Sequence, residues 1–194
     1  VIPLANWQRS MWSDETDLPF RALAPGLVNV ESCLAYTGMN LLKGTNLNWG
    51  QGTTKPYFRA GAPWISGRVF YKKITDLNLP GVKFKHIQYT PTQRKGDGSI
   101  PLYYLEKCSG IELEIIDREI FDPIATATAI MILAYQLYPR QFEWIHDNYI
   151  DKLFGLNLLT TFAAQGKTPK YLPPQWVMDI IRFNEFRQKF LLYE

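Results

Sequence analysis

The hydrophobic and polar positions divide the chain into an irregular beginning, a mixed middle and a helical end. Residues 1–28 show neither helical nor alternating periodicity, and their tryptophans and prolines indicate a loop that aromatic side chains pin to the body of the protein. Asn29 and Glu31 are typical of a helix start. The sequence therefore predicts a helix beginning at position 30 that ends at Gly44, or sooner if Gly38 interrupts it.

The middle of the chain contains two segments that alternate between apolar and polar residues. Alternation over 82–89 and 111–116 predicts two strands, because successive side chains of a strand point to opposite faces of a sheet. A helix is predicted over 68–78, before the first strand. A basic, glycine-bearing loop over 91–109 is predicted between the two strands.

The last third of the chain is predicted to be helical. Asp122 and Pro123 are typical of a helix start, and the helix that follows, over 124–138, is apolar nearly all round, as expected of a core helix. Shorter helices are predicted over 147–154 and 157–165. A final helix over 174–191 is predicted to bury one face that carries Trp176, Ile180, Phe183 and Phe190.

These elements predict a mixed α/β (α+β) fold with a small mixed sheet, a buried core helix and a helical C-terminal third. With 194 residues, 46% of them apolar and 20% charged, the chain has the composition of one globular domain spanning 1–194. The longest apolar run, 124–135, is too short to span a bilayer. Because the sequence starts at Val1 without a signal peptide, we expect a fragment or a processed product.

Acidic residues are missing from one long interval. No Asp or Glu lies between Ser32 and Thr75, an interval that contains Lys43, Lys55, Arg59, Arg68, Lys72 and Lys73. Two interpretations stay open: a solvated basic surface, or a cleft lined for an anionic ligand. The two cysteines, Cys33 and Cys108, have no CxxC spacing; this argues against a disulfide scaffold or structural zinc and leaves a single disulfide open.

A long polar loop over 44–63, rich in glycine and hydroxyl groups, separates the first two predicted helices. Loops of this length without regular structure are uncommon unless they are functional. The loop and its flanks carry a series of motifs in a fixed order: Trp7-x-Arg9-x-Met11-Trp12-x-Asp14-Glu15-Thr16-x-Leu18-Pro19, Leu41-Leu42-x-Gly44-Thr45-Asn46, Gly50-x-Gly52-Thr53-Thr54-Lys55-Pro56, Gly61-Ala62-Pro63-Trp64-Ile65 and Asp117-Arg118-x-x-Phe121-x-Pro123.

Together, these motifs resemble the C-terminal half of the DUF1343 family, the NamZ-type exo-β-N-acetylmuramidases of peptidoglycan recycling. The resemblance implies an auxiliary domain whose partners are peptidoglycan or MurNAc-containing glycans and an N-terminal Rossmann-like domain that is absent from this chain. It places the catalytic Glu in a "PEHG" motif of that domain, and this chain has no such motif. It implies no metal or other cofactor, no nucleic-acid partner, no membrane span, and a periplasmic or extracytoplasmic location.

The resemblance also assigns the loop to the sugar-binding cleft. Backbone N–H groups of a glycine-rich loop suit the lactyl carboxylate of muramic acid, while amide and hydroxyl side chains suit its acetamido and hydroxyl groups. Trp49 is a further candidate for stacking on the sugar. The predicted substrate-binding residues are Gly44, Thr45, Asn46, Gly52, Thr53, Thr54 and Trp64. The alternative is structural: the Asn and Thr side chains brace the loop itself, and the tryptophans pack in the fold.

Four positions depart from the family pattern. Lys43, Trp49 and Phe58 stand where the family has Glu, and Gln51 stands where it has Arg. A cation in place of a carboxylate lowers the pKa of nearby acids, whereas a general acid in glycoside hydrolysis needs a raised pKa. Three hypotheses therefore remain: part of a divergent muramidase, a non-catalytic member that binds cell-wall fragments or protein, and a structural domain without activity of its own.

Overall fold

The computed structural model describes residues 2–93, 98–145, 149–155, 159–166 and 174–193. For Pro174, Gln175 and Trp176 the description covers the backbone only. The described helices and strands are, in chain order, α1 (Val30–Met39), β1 (Arg59–Ala62), α2 (Gly67–Thr75), β2 (Val82–Tyr89), β3 (Cys108–Ile115), α3 (Pro123–Leu137), α4 (Tyr149–Phe154), α5 (Leu159–Ala164) and α6 (Pro174–Arg187). The predicted mixed α/β class is confirmed.

The described strands form one sheet in the order β1-β3-β2, and both strand pairs are antiparallel, where a mixed sheet was predicted. The central strand places Glu112 opposite Arg59 on one side and opposite Lys85 on the other. Strand β1 was predicted as part of the loop, because its sequence, RAGA, contains no β-branched or aromatic residue. It becomes a strand because β3 supplies its hydrogen-bonding partners.

The two faces of the sheet have different chemistry. On one face, Phe84 of β2 and Leu113 of β3 lie opposite each other in the core, where α2 packs on both strands. The other face carries Arg59, Lys85 and Glu112, and the start of α1 and the loops before α1 and before β1 border it. This separation follows from the period-two alternation of each strand, and it leaves the charged face available to line a cleft.

Helix α3 is the centre of the core, as predicted. The carboxylate of Asp122 accepts a hydrogen bond from the backbone N–H of Ala125 at 2.9 Å, and Pro123 occupies the first turn. Every residue of α3 from Thr126 to Ala134 is buried. The cap and the apolar surface together explain why this helix was predicted accurately. Helix α1 starts as predicted, with Asn29 accepting from the N–H of Ser32.

Helix α1 ends earlier than Gly44, and Gly38 lies where α1 crosses the start of α3. A Cβ at Gly38 would lie 1.9 Å from the carbonyl oxygen of Pro123. We expect Gly38→Ala to lower the free energy of unfolding by about 2 kcal/mol, because the steric cost of separating two helices exceeds the gain in helix propensity. Urea denaturation measures the change. The neighbouring exposed position gives the control: Thr37→Ala should stay within about 0.5 kcal/mol, and an equally stable Gly38→Ala would contradict the expected overlap.

The N-terminal segment is fixed to the body by aromatic and charged side chains. The Trp12 indole donates a hydrogen bond to Glu119 at 2.5 Å, and the Arg118 guanidinium lies 4.9 Å from the Trp12 ring centroid. Arg118 also forms ion pairs at 2.7 Å with Asp14 and with Glu15. The prediction of a loop pinned by aromatic residues is therefore confirmed in these contacts.

The described C-terminal helices lie within their predicted ranges, but one prediction about burial is wrong. The predicted helix starts at Asp147 and Asn157 lie outside the described residues, as does the side chain of Trp176. The described part of the last helix keeps the predicted apolar spacing, yet Ile180, Phe183 and Phe190 are exposed rather than buried. Within the part of the chain that the structure describes, the apolar face of α6 is not part of the core.

Among the described residues, none of the helices is long and apolar enough to cross a membrane. Cys33 and Cys108 are both free thiols, so the disulfide that the sequence left open is not formed. Burial raises the pKa of Cys108 to about 12, which keeps that thiol protonated near neutral pH.

Candidate functional site

The candidate loop, 44–56, is tied to the body at both ends. Gly44 ends the 3₁₀ turn Asn40–Gly44 and lies against α4, where an added Cβ would be 2.8 Å from the Ile150 Cβ. Thr45 forms an isolated bridge with Trp144, and Asn48 forms one with Gly61 of β1. These bridges hold the first part of the loop between the sheet and the 139–145 segment.

Two of the predicted binding side chains hold the loop in place. The Thr45 hydroxyl is buried, donates to the carbonyl of Leu42 at 2.8 Å and accepts from the N–H of Leu47. The Asn46 amide donates to the carbonyl of Gln141 at 2.7 Å and accepts from the N–H of Glu143 at 3.0 Å. Both side chains thus brace the loop, which was the structural alternative raised by the sequence.

The centre of the loop is Asn48, which sequence reasoning missed. Its side chain is fully buried, donates to the carbonyls of Gln51 and Leu102, and accepts from the N–H of Gly50 at 2.8 Å. The buried Tyr89 hydroxyl completes the group by donating to oxygen atoms of Asn48. An Asn directly before a Gly-x-Gly turn was the available signal, since Asn side chains commonly bond the backbone two residues ahead.

The glycine turn after Asn48 requires unusual backbone angles. Gly50 and Gly52 have φ of +81° and +77°, and a Cβ at Gly52 would lie 2.6 Å from the carbonyl oxygen of Thr92. The Thr53 hydroxyl is buried and donates to the carbonyl of Gly50 at 2.7 Å. Thr54 is exposed. Of the three predicted hydroxyl groups, the one on Thr54 is therefore the most accessible to a ligand.

Two of the departures from the family pattern meet in space. The Lys43 ammonium lies 4.9 Å from the Trp49 ring centroid, and Trp49 stacks on Tyr57 at 4.7 Å with an interplanar angle of 15°. Burial lowers the pKa of Lys43. A partly desolvated ammonium against an aromatic face forms a favourable cation–π contact. Lys43 and Trp49, which the sequence presents as two separate departures from the family pattern, thus contact each other.

Trp64 lies apart from Trp49 and has a different role. Its indole N–H donates to the Tyr103 hydroxyl at 2.9 Å, and that hydroxyl donates in turn to the carbonyl of Asn46 at 2.8 Å. Trp64 is half-buried and meets Tyr138 edge to face. These contacts connect β1 to the loop through Tyr103, and they favour the packing interpretation for Trp64.

The loop borders two clefts, one on each side. The tryptophan cleft is an open depression of about 410 Å³ lined by Lys43, Thr45, Leu47, Trp49, Gln51, Ile100, Pro101, Leu102, Tyr103 and Ile145. The sheet cleft, of about 560 Å³, lies over the charged face of the sheet, and its lining includes Thr54, Lys55, Glu31, Glu112 and Lys85. The predicted binding residues are therefore divided between two surfaces: Thr45 lines the first and Thr54 the second.

Glu112 dominates the electrostatics of the sheet cleft. Its carboxylate accepts from the Lys55 ammonium at 2.5 Å and from the Arg59 guanidinium at 2.9 Å, and its side chain is only 12% exposed. Burial alone would raise the pKa of Glu112, but the two hydrogen bonds and the two positive charges outweigh it and leave the pKa lowered. Glu112 is thus ionised at neutral pH.

This arrangement revises the interpretation of the carboxylate-free interval. Lys55 and Arg59 were two of its six cations, and both are paired with a carboxylate that lies more than fifty residues away in the sequence. A charge count along the chain could not reveal this partner, because it arrives through strand pairing. Lys43 instead lines the tryptophan cleft, whose described lining contains no carboxylate.

Comparison with known proteins shows where the chain belongs. Residues 34–193 match the family described as "Exo-beta-N-acetylmuramidase NamZ, C-terminal". The chain is 32% identical over 193 residues to the peptidoglycan beta-N-acetylmuramidase NamZ of Bacillus subtilis (strain 168), an alignment that covers 100% of this chain and 45% of the relative. The chain thus spans less than half the length of this curated relative.

Two solved structures share the fold. A DUF1343 family protein from Bacteroides fragilis NCTC 9343 superimposes with a TM-score of 0.79 at 21% identity, covering 97% of this chain and 49% of that one. A second DUF1343 family protein from the same organism superimposes with a TM-score of 0.71, also at 21% identity, covering 98% of this chain and 47% of that one. By the extent of the family match and the identity to the Bacillus relative, the chain belongs to the NamZ C-terminal family.

Proposed function

We propose that this chain is the C-terminal part of a peptidoglycan-acting β-N-acetylmuramidase and that it helps to form the sugar-binding cleft. The observation that carries the proposal is the 32% identity to the Bacillus enzyme along the whole chain. Because the chain spans 45% of that relative, we assign bond cleavage to the part that precedes it. A periplasmic or extracytoplasmic location is proposed with it, since peptidoglycan lies outside the cytoplasmic membrane.

Within this proposal, the tryptophan cleft is the surface that meets the ligand. It combines a half-buried aromatic ring, a cation with lowered pKa and the half-buried Gln51 of the braced loop. Muramic acid presents a carboxylate for Lys43 and an apolar sugar face for Trp49, so both groups have a partner there. Gly44, Thr45, Asn46, Gly52 and Thr53 then act by holding the loop in shape. Thr54 lines the sheet cleft instead, and Trp64 supports the loop through its hydrogen bond to Tyr103.

A second function is favoured by one specific observation. Glu112, the buried carboxylate of the sheet cleft, is held ionised by two cations and is therefore unsuited to act as a general acid. Glu114 on the same strand is paired with Lys85. If the preceding part of the protein supplies no acid either, the chain belongs to a non-catalytic binder of cell-wall fragments or of another protein.

The deciding assay is release of N-acetylmuramic acid from a synthetic muramyl glycoside by the protein as its gene encodes it. We expect Lys43→Ala to raise KM about tenfold with kcat nearly unchanged, because a charge-assisted contact to the lactyl carboxylate of about 1.4 kcal/mol is lost from ground state and transition state alike. Lys72→Ala, an exposed lysine on α2 outside both clefts, is the matched control and should behave as wild type.

The outcomes separate the two functions. Release of the sugar with the expected rise in KM supports the muramidase. Binding of a muramyl fragment by calorimetry without release supports the non-catalytic binder. A wild-type protein that neither binds nor releases the sugar contradicts the muramidase and the binder of cell-wall fragments, and leaves only the binder of another protein. An unchanged KM in Lys43→Ala removes the tryptophan cleft from the site.

A further inference from the structure

Helix α6 presents an apolar stripe to solvent. Ile180, Phe183, Phe186 and Phe190 follow one another at intervals of three or four residues, and their side chains are 54%, 59%, 55% and 64% exposed. This spacing places them on one face of the helix and its 3₁₀ extension, Gln188–Phe190. Folded proteins seldom leave a continuous apolar patch of this kind uncovered unless it is an interaction surface.

The stripe is not a part of the core that happens to be thinly covered. Among the described elements, the main contact of α6 is with the 3₁₀ turn that follows it. The ring centroids of Phe186 and Phe190 lie 5.3 Å apart, and the Lys189 ammonium is 4.5 Å from the Phe186 ring centroid. An isolated helix of 14 residues is marginal in water, so α6 needs a partner surface to be stable.

We propose that the α6 stripe is the docking surface for the part of the same polypeptide that precedes this chain. The proposal rests on the family membership established above and not on the muramidase activity. The Bacillus relative and the first Bacteroides structure are each about twice as long as the matched region, since the chain covers 45% and 49% of them. A segment about as large as this chain is therefore available as the occupant.

The position of the N-terminal segment selects that occupant over a second copy of the chain. The N–H of Leu4 donates to the Tyr193 hydroxyl at 2.6 Å, and the Trp7 ring meets Tyr193 edge to face at 4.8 Å. Leu4 therefore lies next to Tyr193, three residues after Phe190, the last residue of the stripe, and a preceding segment joins the chain near that point. A linked domain at this point reaches the stripe at a high effective concentration, whereas a second copy must be captured from solution.

The charges on α6 argue against a lipid surface. Asp179 and Glu185 alternate with Arg182 and Arg187 along the helix, so its polar side carries no cluster of one sign. Helices that bind anionic membranes carry a polar face rich in Lys and Arg. A protein surface of matching apolar character is the better complement, with the mixed charges forming a polar rim.

The experiment uses the protein as its gene encodes it. Hydrogen–deuterium exchange of the peptides covering 177–190 is compared between wild type, the double variant Phe183→Ser with Phe186→Ser, and the control Ile120→Ser, an apolar residue between β3 and α3 that is 56% exposed. We expect a monomer in which α6 amides exchange at least tenfold more slowly in wild type and in the control than in the double variant. A lysine-reactive crosslinker should join Lys189 to residues that precede this chain.

Three results would overturn the proposal. Rapid exchange of α6 in wild type would show that the stripe is uncovered. Protection that disappears on dilution, with a dimer mass, would assign the stripe to a second copy, and protection acquired on lipid vesicles would assign it to a membrane. None of these measurements depends on muramidase activity. The docking proposal can therefore fail while the proposed function holds, and the reverse.

Discussion

Asn48→Ala is expected to lower the free energy of unfolding by about 3 kcal/mol and to release the 44–56 loop. The fully buried Asn48 amide makes hydrogen bonds to the backbone of Gln51, Leu102 and Gly50. Alanine leaves those three backbone groups without their side-chain partner, at a cost of about 1 kcal/mol for each, whereas the Tyr89 hydroxyl keeps its hydrogen bond to the Asn48 carbonyl. Chemical denaturation gives the stability change, and hydrogen exchange of residues 49–56 gives the loop release.

The same loop provides a matched control for Asn48. The Gln51 side chain bonds the Ser99 hydroxyl at 3.0 Å in an exposed setting, so Gln51→Ala should change stability by less than about 0.5 kcal/mol. Equal effects of the two substitutions would mean that burial does not decide the result. An unchanged exchange rate for 49–56 in Asn48→Ala would show that the bridges at Thr45 and Gly61 hold the loop without it.

The elements that the sequence predicts well are those whose signals are local. The cap at Asn29, the Asp122-Pro123 start of α3 and the alternation of β2 each depend on residues within one element, and each is found as predicted. Strand β1 and the antiparallel arrangement of the sheet depend on β3, which is distant in sequence. They could not be read from the four residues of β1 alone.

The candidate site depends on distant contacts to a greater degree. The family motifs drew attention to the 44–56 loop, but they did not distinguish residues that hold it from residues that face a cleft. Asn46 is held by the 141–143 backbone, and Lys55 is held by Glu112 on β3. Likewise, the period of α6 predicted an apolar face without saying what covers it. In each case the partner is supplied by tertiary structure, which a local pattern does not encode.

Glu112→Gln is expected to lower the free energy of unfolding by about 3 kcal/mol at pH 7. The carboxylate is the shared partner of Lys55 and of Arg59, and the Arg59 side chain is itself only 18% exposed. Removing the carboxylate leaves the mostly buried Arg59 with an uncompensated charge, whereas the Lys55 side chain is 53% exposed and stays solvated. Lys85, opposite Glu112 on β2, is a third nearby cation. The neutral amide of the variant therefore faces cations on the loop, on β1 and on β2.

The pH dependence separates this electrostatic cause from a packing defect. Because the pKa of Glu112 is lower in the folded protein than its usual value of 4.5, its contribution is fully present above about pH 4.5 and is lost as the pH falls through the lowered folded value. The stability gap between wild type and Glu112→Gln should therefore close as urea denaturation is repeated from pH 7 towards pH 3. Glu114→Gln, on the same strand in an exposed pair with Lys85, should show little gap at either pH. A gap for Glu112→Gln that is as large at pH 3 as at pH 7 would mean that shape, and not charge, makes Glu112 necessary.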